Sequence, residues 1–84
     1  MTLQLLVIED SQLDYDMLVA RLALQGLAAH ARRVESGPQL RQALADQAWD
    51  IVVSDHHMPG FSSHEAFDIV RELADKPPFI IVSG

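Results

Sequence analysis

Three acidic residues and one hydroxyl are the side chains whose types and spacing suggest chemistry. Glu9 and Asp10 directly follow an apolar segment near the start of the chain, Asp55 follows a second apolar segment, and Ser83 follows a third. Carboxylates that lie close together repel each other, so one of them is expected to resist ionisation. A divalent cation removes this conflict, and oxygen ligands in a chain without cysteine favour Mg²⁺ or a similar hard ion. The residues therefore predict an acidic metal site.

A simpler interpretation is that these acids only cap helices or face solvent in loops. Asp10 stands next to Ser11, at a predicted helix start, and could serve in this way alone. An acidic pair after a strand does not by itself distinguish the two interpretations. The additional presence of Asp55 before the turn at residues 56–60, and of Ser83 after the last strand, favours the site.

The elements that must position these residues alternate between strand and helix. Continuous apolar or β-branched runs indicate buried strands. The more polar second run, which contains Arg32 and Arg33, indicates a strand near an edge of the sheet. We predict strands at residues 3–8, 28–34, 50–54 and 79–82.

Three helices are predicted between the strands. Ser11 and Ser62 are expected N-caps, each with an acidic residue three positions later, and Ser36-Gly37-Pro38 is expected to start the second helix. Gly26 is the expected stop of the first helix, and Pro77 that of the third. In the first helix, the residues expected to form the apolar stripe are Leu13, Met17, Ala20 and Leu24. In the third helix they are Ala66, Ile69, Val70 and Leu73.

The resulting order is βαβαβαβ, which predicts right-handed crossovers and a doubly wound parallel sheet with helices on both faces. In such α/β sheets, ligands bind beyond the carboxyl ends of the strands. Glu9, Asp10 and Asp55 fall at such ends. If the first and third strands are neighbours, the three carboxylates converge.

Composition limits the class of protein. The 84 residues suit one small domain, and the hydrophobic content of 49% and charged content of 21% are ordinary for a globular domain. A net charge of −6 without a basic stripe argues against a nucleic-acid surface. No apolar run approaches the ~18 residues of a membrane span. The first residues lack a basic signal-peptide region, and the absence of cysteine fits a reducing cytoplasm, so we expect a cytoplasmic protein.

Three segments, at residues 7–11, 51–60 and 80–84, resemble the receiver domains of two-component response regulators. The resemblance covers the whole chain. It implies the flavodoxin-like receiver fold with strand order 2-1-3-4, lacking the last helix, strand and helix. Residues 1–84 are therefore expected to form the N-terminal two-thirds of a receiver domain.

The resemblance also implies roles for individual residues. Asp55 matches the phospho-acceptor, Asp10 the main acidic ligand of Mg²⁺ or Mn²⁺, and Glu9 the second acid, which often acts through water. His57 matches the position whose backbone carbonyl completes the metal shell, and Ser83 the hydroxyl that contacts the phosphoryl group. The implied donor is a phosphohistidine on a sensor histidine kinase or phosphotransfer protein. The chain is thus expected to be a phospho-acceptor that switches an output, not an enzyme acting on a separate substrate.

The departures from the family pattern leave alternatives open. The Lys that follows the fifth strand in the family has no counterpart here, because Lys76 precedes the fourth strand at the opposite end of the sheet. The fourth strand, residues 79–82, is expected to have an open edge that favours a homodimer. The alternative function is therefore a pseudo-receiver that acts as an interaction or dimerisation module without phosphorylation.

Two further classes are disfavoured. Metal-dependent phosphohydrolases with an aspartyl nucleophile usually carry a second Asp two residues later, where this chain has His57. His56, His57 and His64 lie close in sequence, but their spacing is not that of a zinc site.

Overall fold

The structure is a computed structural model that describes residues 2–56 and 58–82. Its strands and helices alternate as predicted. In order along the chain they are β1 (Leu3–Ile8), α1 (Gln12–Leu24), β2 (Ala29–Val34), α2 (Gly37–Asp46), β3 (Ile51–Asp55), α3 (Ser63–Val70) and β4 (Phe79–Val82).

The four strands form one parallel sheet in the order β2-β1-β3-β4. β1 is central, and its last residue, Ile8, lies opposite Val34 of β2 and Ser54 of β3. The carboxyl ends of these three strands are therefore level at one edge. The predicted fold class, a flavodoxin-like α/β sheet with order 2-1-3-4, is confirmed, as is the edge position of β2.

Helices cover both faces of the sheet. α2 and α3 pack over one face and enclose the larger core, while α1 packs over the other face on Leu5, Val7 and Val53. β1 is buried from both sides over Leu5–Ile8 because it is central, which explains the unbroken apolar sequence of these four residues. The larger core consists of Leu6, Ile8, Val34, Leu40, Ala43, Val52, Met58, Phe61, Ala66 and Val70.

The helix starts follow the predicted capping residues. The Oγ atoms of Ser11, Ser36 and Ser62 each accept the backbone N–H of the third residue that follows. These bonds satisfy donors that the first turn of a helix leaves without an intrahelical partner. At the other end of α1, Gly26 takes a φ of 81°, which a residue with a Cβ adopts only with strain. The predicted stop at Gly26 is confirmed.

The face of α1 that packs on the sheet differs from the predicted one. Leu13, Met17 and Leu24 are 68%, 52% and 87% exposed, and Ala20 is exposed with them. The residues that pack on the sheet are instead Tyr15, Leu18 and Leu22. The helix carries apolar residues on both sides, so its periodicity does not select one. Packing on Leu5, Val7 and Val53 of the sheet selects the buried side.

The third helix is shorter than predicted. It ends at Val70, and the N–H groups of Glu72 and Leu73 bond to carbonyls only three residues back, at 3.3 and 3.1 Å. This tight turn keeps Leu73 half-buried, which explains why the apolar periodicity continues beyond the helix. Residues 71–78 then lead to β4. No helix in residues 2–56 and 58–82 is long and apolar enough to cross a membrane.

Candidate metal centre

The three predicted acids meet at the carboxyl edge of the sheet. β1 and β3 are hydrogen-bonded neighbours, so the loop after Ile8 and the end of β3 lie side by side. Each of Glu9, Asp10 and Asp55 offers a carboxylate oxygen within 4.8 Å of the other two. Among the described residues this is the only such group of three potential metal-ligating side chains. The convergence expected from the strand order is therefore present.

The backbone of Glu9 is held by its neighbours. Its N–H donates to the carbonyl of Val34 at 3.0 Å, which extends the β1–β2 ladder by one residue. Its carboxylate accepts the N–H of Ser11 at 3.0 Å, so the side chain folds back over the start of α1. Glu9 is only 7% exposed, whereas Asp10 is exposed and Asp55 half-buried. The site thus has a buried acid beneath two more accessible ones.

Burial raises the pKa of Glu9 to about 7. That pKa already includes a lowering by the Ser11 N–H and smaller rises from hydrogen bonding to the carboxylates of Asp55 and Asp10. Within the described part of the chain, no Lys or Arg forms an ion pair with Glu9 or Asp10. With its pKa raised mainly by burial to about 7, Glu9 retains a proton for a large fraction of the time near neutral pH.

The donor set fits a hard divalent cation. Oxygen ligands surround Mg²⁺ at about 2.0–2.1 Å and larger hard cations at about 2.3–2.6 Å, so two ligands of one ion lie up to roughly 4–5 Å apart. The three carboxylates meet this limit, and they supply only oxygen. A cation here would replace the proton on Glu9 and remove the mutual repulsion. Glu9, Asp10 and Asp55 are the side chains that would hold it.

A cavity of about 400 Å³ opens beside the acids, between α1 and the ends of β3 and β4. Its lining includes the three carboxylates, Tyr15 and Arg21, and burial raises the pKa of the Tyr15 phenol. The cavity is large enough for a group of phosphoryl size beside Asp55. Apolar residues in the lining include Met17, Leu18, Val53 and Val82.

Two predicted site residues, His57 and Ser83, lie outside the described residues. The chain next to each is placed: His56 N–H donates to the Val82 carbonyl at 2.9 Å, and Asp55 lies opposite Val82 in the β3–β4 ladder. The roles that the resemblance implies for His57 and Ser83 stay predictions.

Lys76 lies far from the acids, as the sequence predicted. It lines a separate depression at the amino end of the sheet, together with Trp49, Asp50 and Pro77. No ammonium group from this residue serves the acidic cluster.

One residue of the site was assigned another role by the sequence. The sequence identified Arg33 only as part of a polar strand near an edge of the sheet, but its Nη1 donates to the backbone carbonyl of Glu9 at 3.1 Å. The sequence could have placed Arg33 near the site, because β2 is the other neighbour of β1 and its last residues also reach the carboxyl edge of the sheet. Strand order alone could not show that the guanidinium would turn toward the loop.

Comparison with known proteins gives a match at the level of fold. No protein-family model and no curated protein sequence matches the chain. A solved structure described as a response regulator receiver protein from Pseudomonas putida matches with a TM-score of 0.75 and 20% sequence identity. The match covers 100% of this chain and 69% of that chain. The chain therefore has the fold of a response regulator receiver domain, with four parallel strands in the order 2-1-3-4 and three helices.

Proposed function

We propose that this chain is a phospho-acceptor receiver of a two-component phosphorelay, with Asp55 as the acceptor and Mg²⁺ or Mn²⁺ as the cofactor. The observation that carries the proposal is the group of three carboxylate oxygens within 4.8 Å of one another, at the carboxyl edge of a receiver-type sheet. The fold supports a partner of the kind that receivers have, a sensor histidine kinase or a phosphotransfer protein. A cytoplasmic location belongs to the same proposal.

In this proposal Asp55 is the nucleophile. One of its carboxylate oxygens forms a bond to phosphorus, and the P–N bond of the donor phosphohistidine breaks. The electron pair of that bond returns to the imidazole nitrogen, and the donor leaves as neutral imidazole when its other nitrogen carries a proton. The product is an aspartyl phosphate, and no external oxidant or reductant is needed. A carboxylate is a weak nucleophile, so positioning and charge compensation must supply the catalysis.

Each of the three acids has a distinct part in this chemistry. Asp55 is half-buried and lines the cavity, where an incoming phosphoryl group could reach it. Asp10, which is exposed, and Glu9, which is buried, would hold the cation together with Asp55. When bound, the cation neutralises charge on the carboxylate and phosphoryl oxygens as the transfer proceeds. The backbone carbonyl of His57 and the hydroxyl of Ser83 complete the proposed site, as the resemblance implies.

The output switch follows from the added charge. A phosphoryl group adds about −1.5 to −2 charges beside acids that already repel each other. Such a change is large enough to shift a nearby element between two packed arrangements. In this proposal the Ser83 hydroxyl bonds the phosphoryl group and transmits the change to the surface beyond β4.

The test uses the 84-residue chain with acetyl phosphate as donor and Mg²⁺ as cofactor. Because the Lys that follows the fifth strand in the family has no counterpart among residues 1–84, phosphorylation by this small donor is expected to be weak. Intact-mass spectrometry should detect at most a small fraction of chain with one added phosphoryl group, which chelation by EDTA and the substitution Asp55→Asn should both abolish. Asp50→Asn is the matched control, because Asp50 lies just before the same strand, β3, but at its opposite end. Phosphorylation that persists in Asp55→Asn would overturn the assignment of the acceptor.

A second candidate function rests on a different observation. β4 lies at the edge of the sheet, and its residues Ile80, Ile81 and Val82 are 45%, 47% and 40% exposed. An apolar edge strand offers unpaired backbone groups to another chain. The alternative is therefore a pseudo-receiver that forms a homodimer through β4 and takes no phosphate.

The two candidates differ in measurable ways. Mn²⁺ binding without phosphorylation, together with a concentration-dependent dimer that Ile81→Lys disrupts, would favour the pseudo-receiver. A phosphorylated chain that stays monomeric at high concentration by light scattering would exclude the β4 dimer and favour the receiver.

A further inference from the structure

Arg33 connects three parts of the chain beside the acidic cluster. Its Nη1 donates to the backbone carbonyl of Glu9 at 3.1 Å and to the carboxylate of Glu35 at 3.3 Å. Its Nε donates to the side-chain carbonyl of Gln12 at 3.0 Å. One guanidinium therefore links β2, the β1–α1 loop and the first turn of α1. The Arg33 side chain is 25% exposed, against 41% for Arg32.

The bond to Glu9 acts on the geometry of the next residue. The carbonyl of Glu9 and the nitrogen of Asp10 belong to one peptide group, which is planar. Arg33 fixes the carbonyl, and Val34 accepts the N–H of Glu9 at 3.0 Å on the same side of β1. The N–H of Glu9 belongs to the preceding peptide, so the two bonds restrain the peptide planes on both sides of Glu9, and Arg33 holds the plane from which Asp10 starts.

The cluster needs such a restraint. Three carboxylates within 4.8 Å of one another repel, and Asp10 is the one that is exposed and has most room to turn away. Gln12, which accepts the Nε–H of Arg33, is itself restrained, because its side-chain nitrogen donates to the Asp16 carboxylate at 2.9 Å. The orientation of the guanidinium is thus fixed from α1 as well as from β2.

We infer that Arg33 is a positioning residue of the metal centre, which holds the Glu9–Asp10 peptide so that Asp10 faces the cation. This inference rests on the proposed metal site and adds a residue to it. Arg33 acts through the backbone and is not itself a ligand. No hydrogen bond or ion pair in the described residues joins its guanidinium to the carboxylates of Glu9 or Asp10.

The direction in which cation affinity changes on removal of Arg33 distinguishes a positioning role from simple charge repulsion. A guanidinium near a cation site repels the cation, so its removal strengthens cation binding if charge is all that matters. Loss of a group that holds a metal ligand in place weakens binding, typically by about 10- to 100-fold. The two explanations therefore predict opposite changes when Arg33 is replaced.

The experiment measures Mn²⁺ affinity by electron paramagnetic resonance for the wild-type chain, Arg33→Met and Arg32→Met. Arg32 is the matched control: it is the preceding residue of β2, and its substitution removes the same charge, but its side chain pairs with Asp46 instead. Arg33→Met should bind Mn²⁺ about tenfold more weakly, at the lower end of the range for groups that hold ligands. Arg32→Met should bind no more weakly than the wild type.

A third variant tests whether the weaker Mn²⁺ binding of Arg33→Met comes only from a general loosening of β2. Arg33→Lys keeps the repulsive charge and can still donate one hydrogen bond to the Glu9 carbonyl. If Arg33 is a positioning residue, Arg33→Lys should bind Mn²⁺ more tightly than Arg33→Met. General loosening of β2 would not be rescued in this way, and charge alone would make the Lys variant the weaker of the two.

The outcomes distinguish this inference from the proposed function. A wild-type chain that binds no Mn²⁺ would overturn the metal site itself. If the wild type binds Mn²⁺ and Arg33→Met binds it equally or more tightly, the site stands and the role of Arg33 is refuted. Equal weakening in Arg33→Met and Arg33→Lys would also refute it.

Discussion

Acidic residues at the two ends of the sheet have opposite surroundings. At the amino end, Asp50 accepts the N–H of Gln4 at 2.7 Å, and Asp46 accepts from Arg32 at 2.8 Å and from Gln42 at 2.7 Å. At the carboxyl end, Glu9, Asp10 and Asp55 lie against one another, and the nearby guanidinium of Arg33 is directed to a backbone carbonyl. The acids at the amino end accept hydrogen bonds from nearby donors, whereas the carboxyl end brings three carboxylates close together.

The pKa values follow this difference. Hydrogen bonding to Arg32 lowers the pKa of Asp46, whereas burial raises the pKa of Glu9 to about 7. The same chemical group is therefore favoured as an anion at one end and disfavoured at the other. We therefore expect the amino-end acids to serve the fold, and the carboxyl-end acids to cost stability unless a cation compensates their charge.

The largest effect expected from this comparison is on metal affinity. Asp10→Asn replaces a proposed carboxylate ligand with a neutral amide and should weaken Mn²⁺ binding by more than about 100-fold, the upper limit for groups that only support a ligand. Without metal, the variant should be at least as stable as the wild type, because one repulsive charge is gone. Titration calorimetry and urea unfolding measure the two quantities. The control variant Asp50→Asn should bind Mn²⁺ as tightly as the wild type. An equal loss of affinity in this control would show that acids at the two ends of the sheet do not differ in metal binding.

The second effect is on the pH dependence of stability without metal. Folded Glu9 binds its proton more tightly than unfolded Glu9, so its contribution to stability is present at low pH and is lost as the pH rises through about 7. Between pH values near 5 and 8 the free energy of unfolding should fall by about 2–3 kcal/mol. Urea unfolding in the presence of EDTA measures this slope.

Two controls accompany that measurement. Glu9→Gln should flatten the slope, and saturating Mg²⁺ should restore stability at high pH by binding only the folded state. A metal-free wild-type chain whose stability rises over this pH range would contradict the assignment of Glu9.

A smaller effect is expected at the amino end. Asp50 and Gln4 bond reciprocally, because the Asp50 N–H also donates to the Gln4 carbonyl at 2.8 Å. Asp50→Ala removes the side-chain half of this pair and should destabilise the fold by about 1 kcal/mol. Mn²⁺ affinity, measured on the same sample, should not change. A stability equal to that of the wild type would show that the amino-end acids are dispensable.

The smallest effect is expected for Asp46. Its ion pair with Arg32 is exposed, and such pairs contribute little because water and salt screen them. Asp46→Asn should leave the urea midpoint and the Mn²⁺ affinity unchanged within error, at both low and high salt. A clear loss of stability that disappears in high salt would assign this pair a larger part in the fold.

Much of the fold follows from local patterns. The apolar run at Leu3–Ile8 and the serine caps of the helices were identified in the sequence and lie where predicted. The β-branched third strand was also identified, but it spans Ile51–Asp55 instead of residues 50–54, so Asp55 is its last residue. These features depend on neighbours within a few residues, so the sequence carries them directly. The order βαβαβαβ then limits the arrangements of a parallel sheet to a few.

Tertiary packing decided what local patterns leave open. α1 has apolar residues on two sides, and only its contact with Leu5, Val7 and Val53 selected the side with Tyr15 and Leu18. The end of α3 at Val70 likewise depends on where the chain must turn toward β4. The apolar periodicity predicts neither the buried side of α1 nor the end of α3, because both depend on contacts with elements distant in sequence.

The site divides in the same way. The sequence by itself determined that Glu9, Asp10 and Asp55 follow strands, and strand order brought them to one edge, since parallel strands end together. Only the tertiary structure decided that Glu9 is buried while Asp10 is exposed, and that Arg33 reaches the carbonyl between them. Burial and side-chain direction arise from packing between β1 and both of its neighbours, which no single segment contains.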